Sequence, residues 1–515
     1  MDFMNAVRQT LDNEYNVSIT ENGAVGYRTT GKELLDLNFA VASLRKMPDA
    51  EVAKRFGKAF YENQILAMKW LFYARDVRGG LGERRLFRVV LAELIKSNPE
   101  MVIPVMNLIP EYGRYDDLWC LLDDKDAANV IYQIVDNQLK HDWENMAAKK
   151  PISILAKWMP SINASSVKTK EYGKKLCKAL KMTEREYRKA LSKLRAYLDV
   201  VEVKMSDKNW SEIKYEAVPS RANLIYNSAF LRNDEARRRE YLSKLEKGET
   251  KINASTLFPH DIVHRYGTRP NRKDTTVEAL WKALPDTVKG CGNTIVVADG
   301  SGSMTCTVDN NSRVTALEVA NALAIYFAEH SSGQFKDKYI TFSERPQLVD
   351  FSNCNSLCDK LRVARNHCEI ANTNIEKVFD LILDTAIVNQ MNQEDLPANI
   401  LIISDMEFDS CATCGSTNTR SYSYGRNRPS QKLFDAIAQK YARAGYKMPR
   451  LVFWNVNSRT GTIPVKENDF GVALVSGFSV NVAKMVMSGK TDPFECLLET
   501  LNSERYSPVE EALKK

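Results

Sequence analysis

Histidine is scarce in this chain of 515 residues, which contains five. The five are not spaced as zinc ligands or as members of a catalytic triad. The sequence also lacks the Gly-x-x-x-x-Gly-Lys-Ser/Thr loop of nucleotide-hydrolysing enzymes and the Gly-x-Gly-x-x-Gly fingerprint of dinucleotide-binding enzymes. Because these constellations are missing, the sequence predicts a protein that is not an enzyme.

Long apolar runs and paired cysteines are missing as well. No stretch reaches the roughly 20 apolar residues that cross a bilayer, so we expect no transmembrane helix. The first residues, Met1 to Asn5, lack the basic and apolar regions of a signal peptide. The ten cysteines are scattered singly, as in proteins that keep their thiols reduced. We therefore expect a cytoplasmic protein with no membrane partner.

The strongest positive signal is a short apolar run that ends in oxygen-bearing side chains. Ile295 to Ala298 are apolar, and Asp299, Ser301 and Ser303 follow with glycines between them. The glycines allow the backbone to turn tightly. Carboxylate and hydroxyl oxygens are hard ligands, so the matching occupant is Mg²⁺, with Mn²⁺ or Ca²⁺ as alternatives.

Two later segments supply further oxygen atoms. Thr373 precedes a helical pattern at 375–388, and Asp405 ends an apolar strand pattern. Each piece alone also has a plain structural interpretation, since Thr373 suits a helix N-cap and Ser301 suits a turn. Taken in this order, the pieces predict one divalent-cation site. Its ligands would be Asp299, Ser301, Ser303, Thr373 and Asp405.

The predicted secondary structure changes near residue 290. Residues before about 265 show helical periodicity, for example at 52–75, 183–198 and 221–247, in many medium-length segments that suggest stacked helical repeats. Strands and helices then alternate, as in an open, mainly parallel α/β sheet. We expect an α-helical repeat domain at 1–285 and an α/β domain at 286–515. The predicted strands are 294–298, 338–342, 400–404, 450–456 and 472–475.

Positive charge is concentrated in the helical half. Residues 1–290 contain 49 Lys and Arg against 39 Asp and Glu, whereas the remainder contains 23 against 26. Residues 168–195 alone carry eleven basic residues against three Glu. On helices these would form a cationic face suited to phosphates, or a solvated surface over buried leucines. The candidates for phosphate contact are Lys174, Lys175, Arg188, Lys189, Lys193 and Arg195.

A second basic cluster surrounds Gly79 and Gly80. The glycines permit close approach of a backbone or a phosphate. The alternative is a turn between helices, with the arginines paired to Asp76 and Glu83. The candidates for phosphate contact in this cluster are Arg75, Arg78, Arg84 and Arg85.

The order of these features resembles that of Ro autoantigens, in which a HEAT-like helical module called TROVE precedes a von Willebrand factor A domain. The motif at 299–303, with Thr373 and Asp405, is similar to the metal-ion-dependent adhesion site of that Rossmann-like domain. More of the chain resembles a related family of plants, fungi, bacteria and phages. The matching segments are 20–24, 75–84, 109–118, 157–160, 187–195, 251–254 with 259–260, and 404–409.

This resemblance implies a function for each half. In Ro proteins the helical repeats close into a ring that binds misfolded RNA ends and small structured RNAs. The cation of the adhesion site completes its coordination with an acidic residue of a partner protein. We therefore expect a non-enzymatic RNA-binding protein with a Mg²⁺-dependent protein-interaction domain. The alternative is a metal-dependent adaptor or scaffold that binds no RNA.

Overall fold

Helices predominate up to residue 282, and strands alternate with helices from residue 294 onward. This arrangement confirms the predicted α plus α/β layout. The computed structural model describes residues 15–267, 272–288, 293–342, 345–367, 374–408, 433–465, 471–483 and 492–514, together with 3, 4, 7, 8 and 11. No helix within these ranges is long and apolar enough to cross a membrane.

The helices are numbered in chain order. They are α1 Glu33–Leu44, α2 Asp49–Glu62, α3 Gln64–Arg75, α4 Arg84–Ser97, α5 Lys125–Ala147, α6 Val167–Ala179, α7 Glu184–Tyr197, α8 Val201–Ser206, α9 Ser220–Asn233, α10 Glu235–Glu246, α11 Pro259–Tyr266, α12 Thr275–Lys282, α13 Ala316–His330, α14 Leu357–Asn366, α15 Ile375–Val388, α16 Leu433–Arg443, α17 Pro493–Leu501 and α18 Ser507–Leu513. Single helical turns occur at Pro99–Val102, Ile109–Tyr112 and Leu155–Trp158. Short 3-10 segments occur at Ile103–Leu108, Tyr115–Leu121, Trp210–Glu212, Tyr215–Ala217, Gly302–Thr305, Gly333–Phe335, Gln393–Asp395 and Val480–Val482.

The strands form a two-stranded hairpin and a six-stranded sheet. They are β1 Val17–Ile19, β2 Val25–Tyr27, β3 Thr294–Asp299, β4 Lys338–Phe342, β5 Leu348–Asp350, β6 Asn399–Ser404, β7 Arg450–Asn455 and β8 Val472–Ser476. The large sheet has the order β5-β4-β3-β6-β7-β8, and β5 is antiparallel to β4 while all other neighbours are parallel. All five predicted strands are present, each within one residue of its predicted ends. The short β5 and the β1–β2 hairpin were not predicted.

The centre of the sheet follows from its sequence. Every residue of β3 is buried, and five of the six residues of β6 are buried. Such continuous apolar runs are typical of parallel strands covered on both faces. Helix α13 packs against β3 and leads the chain to β4. Its start is fixed by a capping box, in which Thr315 accepts from the Glu318 amide and Glu318 accepts from the Thr315 amide.

The residues form two compact units that are discontinuous in sequence. The first comprises Met1–Pro48, Leu257–Asp274 and Leu284–Thr500, and the second comprises Asp49–Thr256, Thr275–Ala283 and Leu501–Lys515. The units therefore do not follow the linear boundary predicted at 285/286.

Helix α1 shows most clearly how the units differ from the predicted domains. It was predicted to belong to the helical domain, but it lies in the first unit and packs against β8. Asn455 donates to the Phe39 carbonyl oxygen at 2.8 Å, and the Ala42 amide donates to Ser476 Oγ at 3.0 Å. Almost every side chain of α1 is buried. Periodicity alone placed this segment with the helical half, since a helix buried on all sides has no polar face to indicate its neighbours.

The second unit is helical. Two of its long predicted helices are each divided into two. The segment 52–75 breaks at Asn63, whose side chain accepts from the Leu66 amide and caps α3. The segment 221–247 breaks at Asp234, between α9 and α10. At Asn63 a capping side chain thus marks a boundary that the apolar spacing hides, whereas the Asp234 side chain forms no cap hydrogen bond.

Candidate functional site

Two aspartates meet at the carboxyl edge of the sheet. Asp299 is the last residue of β3, and Asp405 directly follows β6. The two strands are parallel neighbours, with Ala298 opposite Ile403 in the register. From β3 the chain continues to β4 on one side, whereas β6 lies on the other side. This is the topological switch point of the sheet, the place where ligands bind in open α/β folds.

Hydrogen bonds fix the Asp299 carboxylate in place. Ser404 Oγ donates to its Oδ2 at 2.7 Å, and the Ser301 amide donates to its Oδ1 at 2.9 Å. Ser404 Oγ in turn accepts from the Met406 amide at 2.9 Å. The carboxylate is thus oriented by both the β3 loop and the neighbouring strand.

The two serines of the β3 loop lie together beside these carboxylates. Ser301 Oγ and Ser303 Oγ are 2.9 Å apart. A hydrogen bond from Ser303 to Asp405 joins the β3 loop to the β6 loop. The structure therefore brings together Asp299, Ser301, Ser303 and Asp405. Thr373, the fifth predicted ligand, lies outside the described residues.

The two carboxylates are buried close to each other. Asp299 is 2% exposed and Asp405 is 1% exposed. Burial raises the pKa of Asp299 to about 7, with a further increase from the charge of Asp405. Burial also raises the pKa of Asp405, against the hydrogen bond from Ser303. Neighbouring buried carboxylates are costly unless a proton or a cation neutralises them.

The chemistry of this donor set fits a hard divalent cation. Two carboxylates and two hydroxyls offer oxygen atoms to Mg²⁺, Mn²⁺ or Ca²⁺. Within the described ranges, no group of three or more His, Cys, Asp and Glu side chains suited to a metal occurs. The set at the sheet edge instead combines two acidic residues with two serines, and a softer metal such as Zn²⁺ prefers nitrogen and sulfur ligands.

Glu407 is a buried acidic residue beside this site that the sequence did not single out. It is 2% exposed, and its Oε1 accepts from the amides of Arg459 and Thr460 at 2.8 and 2.9 Å. Its Oε2 accepts from the Glu21 amide at 2.8 Å. One carboxylate thus organises the loop after β7 and the turn of the β1–β2 hairpin. Segments 20–24 and 404–409 were both among those that match the related family, and the structure shows that Thr20 and Glu21 contact Phe408 and Glu407.

The first basic cluster lies on α6 and α7, whose apolar face is buried. Leu176, Leu191 and Leu194 are buried, as the solvated-surface interpretation also requires. Lys174, Lys178, Arg185, Arg188, Lys189 and Lys193 are exposed. The structure thus presents these side chains on two consecutive helices of the second unit, which leaves them accessible to an anion.

Members of the first cluster also have partners within the protein, and Arg188 donates to the Glu184 carbonyl oxygen at 3.3 Å. Lys175 forms an ion pair with Asp123 at 2.8 Å. Arg195 donates to the carbonyl oxygens of Ala156 and Met159 at 2.8 and 2.9 Å. Because its guanidinium is directed at the backbone, Arg195 is better explained as a structural residue than as an RNA contact.

A cavity of about 320 Å³ opens beside α7. Its walls combine apolar side chains with the polar side chains of Arg188, Ser192 and Asn163. The exposed Arg188 thus belongs both to the cationic surface and to the cavity wall. The cavity volume lies at the lower end of the range for small-ligand sites.

The second basic cluster is a structural turn. A Cβ at Gly80 would lie 1.9 Å from the Tyr73 carbonyl oxygen, so the close approach that the glycine permits is to its own chain. Arg75 is 3% exposed and pairs with Asp117 at 2.7 Å. Its assignment as an RNA contact is therefore corrected, because its guanidinium is buried within the protein.

The other three arginines of this cluster also have partners within the protein. Arg84 pairs with Asp116, Arg85 pairs with Asp49, and Arg78 donates to the Glu111 carbonyl oxygen at 3.3 Å. The sequence-based alternative had named Asp76 and Glu83 as the partners of the arginines. The pairs form instead with residues of other segments, which apolar periodicity does not place in space.

Similar proteins were found by three comparisons. Residues 293–512 match a family described as a domain of unknown function, DUF7788, and residues 166–294 match a domain of unknown function, DUF2828. A protein of Acanthamoeba polyphaga mimivirus, the uncharacterized protein L728, is 29% identical over 543 residues. The match covers 96% of this chain and 89% of the viral protein, so it extends over both compact units.

Among solved structures, the chain is similar to the Ro (RSR) protein of Deinococcus radiodurans. The identity is 12% and the TM-score is 0.32, with 88% of this chain and 93% of that chain covered.

Proposed function

We propose that the α/β unit is a von Willebrand factor A-like domain that binds a divalent cation and, through it, an acidic group of a partner protein. The observation that carries this proposal is the convergence of Asp299, Ser301, Ser303 and Asp405 at the switch point of the sheet. Mg²⁺ is the expected ion, with Mn²⁺ or Ca²⁺ as alternatives. A bound cation would neutralise the buried carboxylates and offer an open coordination position to a carboxylate ligand.

A binding role suits this site better than catalysis. The side chains described around it are carboxylates, hydroxyls and one guanidinium. Their hydrogen bonds hold the oxygen atoms of the proposed metal ligands in place. Metal-assisted hydrolysis needs an activated water and a group that accepts its proton. The two carboxylates are already used as cation ligands in our proposal, and the neighbouring Glu407 is held by three backbone amides. We therefore propose ligation of a partner as the function.

Titration with Mn²⁺ provides the direct test. Electron paramagnetic resonance measures free Mn²⁺, and we expect one saturable site in the full chain. The variant Asp299→Ala removes a buried ligand and should abolish binding at that site. Asp350→Asn, at an exposed position on β5, is the matched control and should leave binding unchanged. Equal Mn²⁺ binding by wild type and Asp299→Ala would refute the proposal.

We propose RNA binding by the α6–α7 surface as a second function. The supporting observations are the exposed basic side chains of this surface and the resemblance of the chain to Ro proteins. A TROVE-like helical platform would bind phosphates there, and the adjacent cavity offers space for part of a nucleotide. A metal-dependent adaptor without RNA binding is the alternative that the experiment below separates.

Filter binding across a salt series tests the RNA proposal. Phosphate contacts make the logarithm of affinity fall linearly with the logarithm of salt concentration, with a slope set by the phosphates neutralised. Changing Lys174, Arg188, Lys189 and Lys193 to Glu should weaken binding to different RNAs and reduce the slope. The control reverses four exposed basic residues elsewhere in the second unit, namely Lys96, Lys140, Arg239 and Lys244. Equal loss in both variants would refute the α6–α7 surface as the RNA site, and no binding by the wild type would favour the adaptor.

A further inference from the structure

Arg459 connects the candidate metal site to an acidic residue near the start of the chain. Its Nη2 lies 2.7 Å from Glu21 Oε2 and 3.5 Å from Asp405 Oδ2. Asp405 is buried, whereas the side chain of Glu21 is 54% exposed and that of Arg459 is 37% exposed. The guanidinium thus lies between a proposed metal ligand and a carboxylate that solvent can reach.

The backbone on both sides of this contact is held firmly. Glu407 accepts from the Arg459 amide at 2.8 Å and from the Glu21 amide at 2.8 Å. Thr20 Oγ1 donates to the Phe408 carbonyl oxygen at 2.6 Å. Because the main chain is fixed at both residues, only the two side chains need to move for the ion pair to open.

The ion pair itself is weakly held. Exposed pairs contribute little to stability, because water solvates the separated charges well. A cation at Asp405 would repel the neighbouring guanidinium, and an anion bound between the two positive charges would be held more strongly. An arginine also offers several N–H donors in a plane, which match the two oxygens of a carboxylate.

We propose that Arg459 is a second anion-binding group of the metal site, and that Glu21 occupies it until an acidic ligand arrives. The ligand's carboxylate would place one oxygen on the cation and accept a hydrogen bond from Arg459 with the other. Glu21 is then an intramolecular competitor that an incoming carboxylate displaces. This inference rests on the proposed metal function, and it assigns the specificity of the site for a carboxylate to Arg459.

Acetate is a suitable probe, because it is a carboxylate with no other recognition group. Ligand binding and metal binding are linked, so acetate that binds at the site must tighten Mn²⁺ binding. We would measure free Mn²⁺ by electron paramagnetic resonance with and without acetate, at constant ionic strength. Acetamide, which has the same shape and no charge, serves as the neutral control and should have no effect.

The acetate effect is the increase in Mn²⁺ affinity that acetate causes, and each variant should change it differently. Glu21→Gln should increase it by about threefold over wild type, since an exposed competing ion pair is removed. Arg459→Gln should reduce the effect by at least about tenfold while Mn²⁺ still binds, because a hydrogen bond to a charged group is lost and only the cation still holds the acetate. In the double variant the effect should equal that of Arg459→Gln alone, because Glu21 acts only through Arg459. Arg362→Gln, which removes another exposed paired arginine in the same unit, should behave as wild type.

The outcomes separate this inference from the metal proposal. An acetate effect in Arg459→Gln equal to that of wild type would overturn the role of Arg459. Absence of any acetate effect in both wild type and Glu21→Gln would overturn it too. If wild type fails to bind Mn²⁺ at all, the metal proposal and this inference fall together.

Discussion

Ser404 Oγ donates a hydrogen bond to Asp299 Oδ2 at 2.7 Å, from the end of one strand to the end of its neighbour. This bond lowers the pKa of Asp299 against the effect of burial. It also aims the carboxylate at the β3 loop, where Ser301 and Ser303 lie. The contact therefore stabilises the charged form of Asp299, which is the form that binds a cation.

Ser404→Ala should weaken Mn²⁺ binding by about tenfold at pH 7.5, because a hydrogen bond to a charged group is worth roughly 1.5–3 kcal/mol. It should also raise the midpoint pH of Mn²⁺ binding, that is, the pH at which half of the binding is lost. Titration by electron paramagnetic resonance at several pH values measures both effects. Ser352→Ala, which removes a similar serine–aspartate bond at Asp350, is the control and should change neither. An unchanged pH midpoint in Ser404→Ala would contradict the assigned role.

Stability without metal should depend on pH through Asp299. Its pKa in the folded protein is raised to about 7, above the ordinary carboxyl range near 4. The folded state therefore holds a proton that the unfolded state has released. The resulting stability is fully present below pH 4 and is lost as pH rises towards 7. Urea unfolding in chelator should show this fall, and Asp299→Asn should show a smaller one.

Metal should reverse this dependence, since Mn²⁺ and the proton compete for the same carboxylate. Affinity should rise with pH up to about 7, with a slope of up to about tenfold per pH unit if one proton is displaced. Saturating Mn²⁺ should then stabilise the protein more at pH 8 than at pH 5, as thermal unfolding would report. A Mn²⁺ affinity that is constant between pH 5 and 7 would show that Asp299 is already charged throughout that range.

Apolar runs and oxygen-bearing loop residues predicted that Asp299, Ser301, Ser303 and Asp405 lie together in the proposed metal site. Strands β3 and β6 were recognisable because buried parallel strands are apolar throughout, and the residues that end them were polar. The contact of Arg459 with Glu21 was not predictable, because the two residues lie near opposite ends of the chain. No periodic pattern reports where a distant hairpin will pack, and only the folded chain shows that Glu407 holds both segments.

The buried pair Arg75–Asp117 should be structural. Arg88 still pairs with the buried Asp117 at 2.6 Å, so Arg75→Met removes only part of the compensating charge. The variant should therefore cost up to about 3 kcal/mol of unfolding free energy, the lower end of the range for a broken buried pair. RNA affinity of the folded fraction should stay at the wild-type value, because the guanidinium is buried. Urea unfolding and filter binding measure the two quantities. Arg85→Met, at an exposed pair with Asp49, should cost less than about 1 kcal/mol.

RNA binding should be independent of the metal. The α6–α7 surface carries its own positive charge, whereas a cation held by Asp299 and Asp405 has little net charge left to attract a phosphate. We therefore expect EDTA or Asp299→Ala to leave RNA affinity within about twofold, or roughly 0.4 kcal/mol, too small a change for a lost direct contact. Protein partners that bind through the cation should be released by the same treatments. Filter binding with and without EDTA, with circular dichroism to confirm that the fold is intact, gives the measurement. A loss of tenfold or more would place the metal within the RNA site.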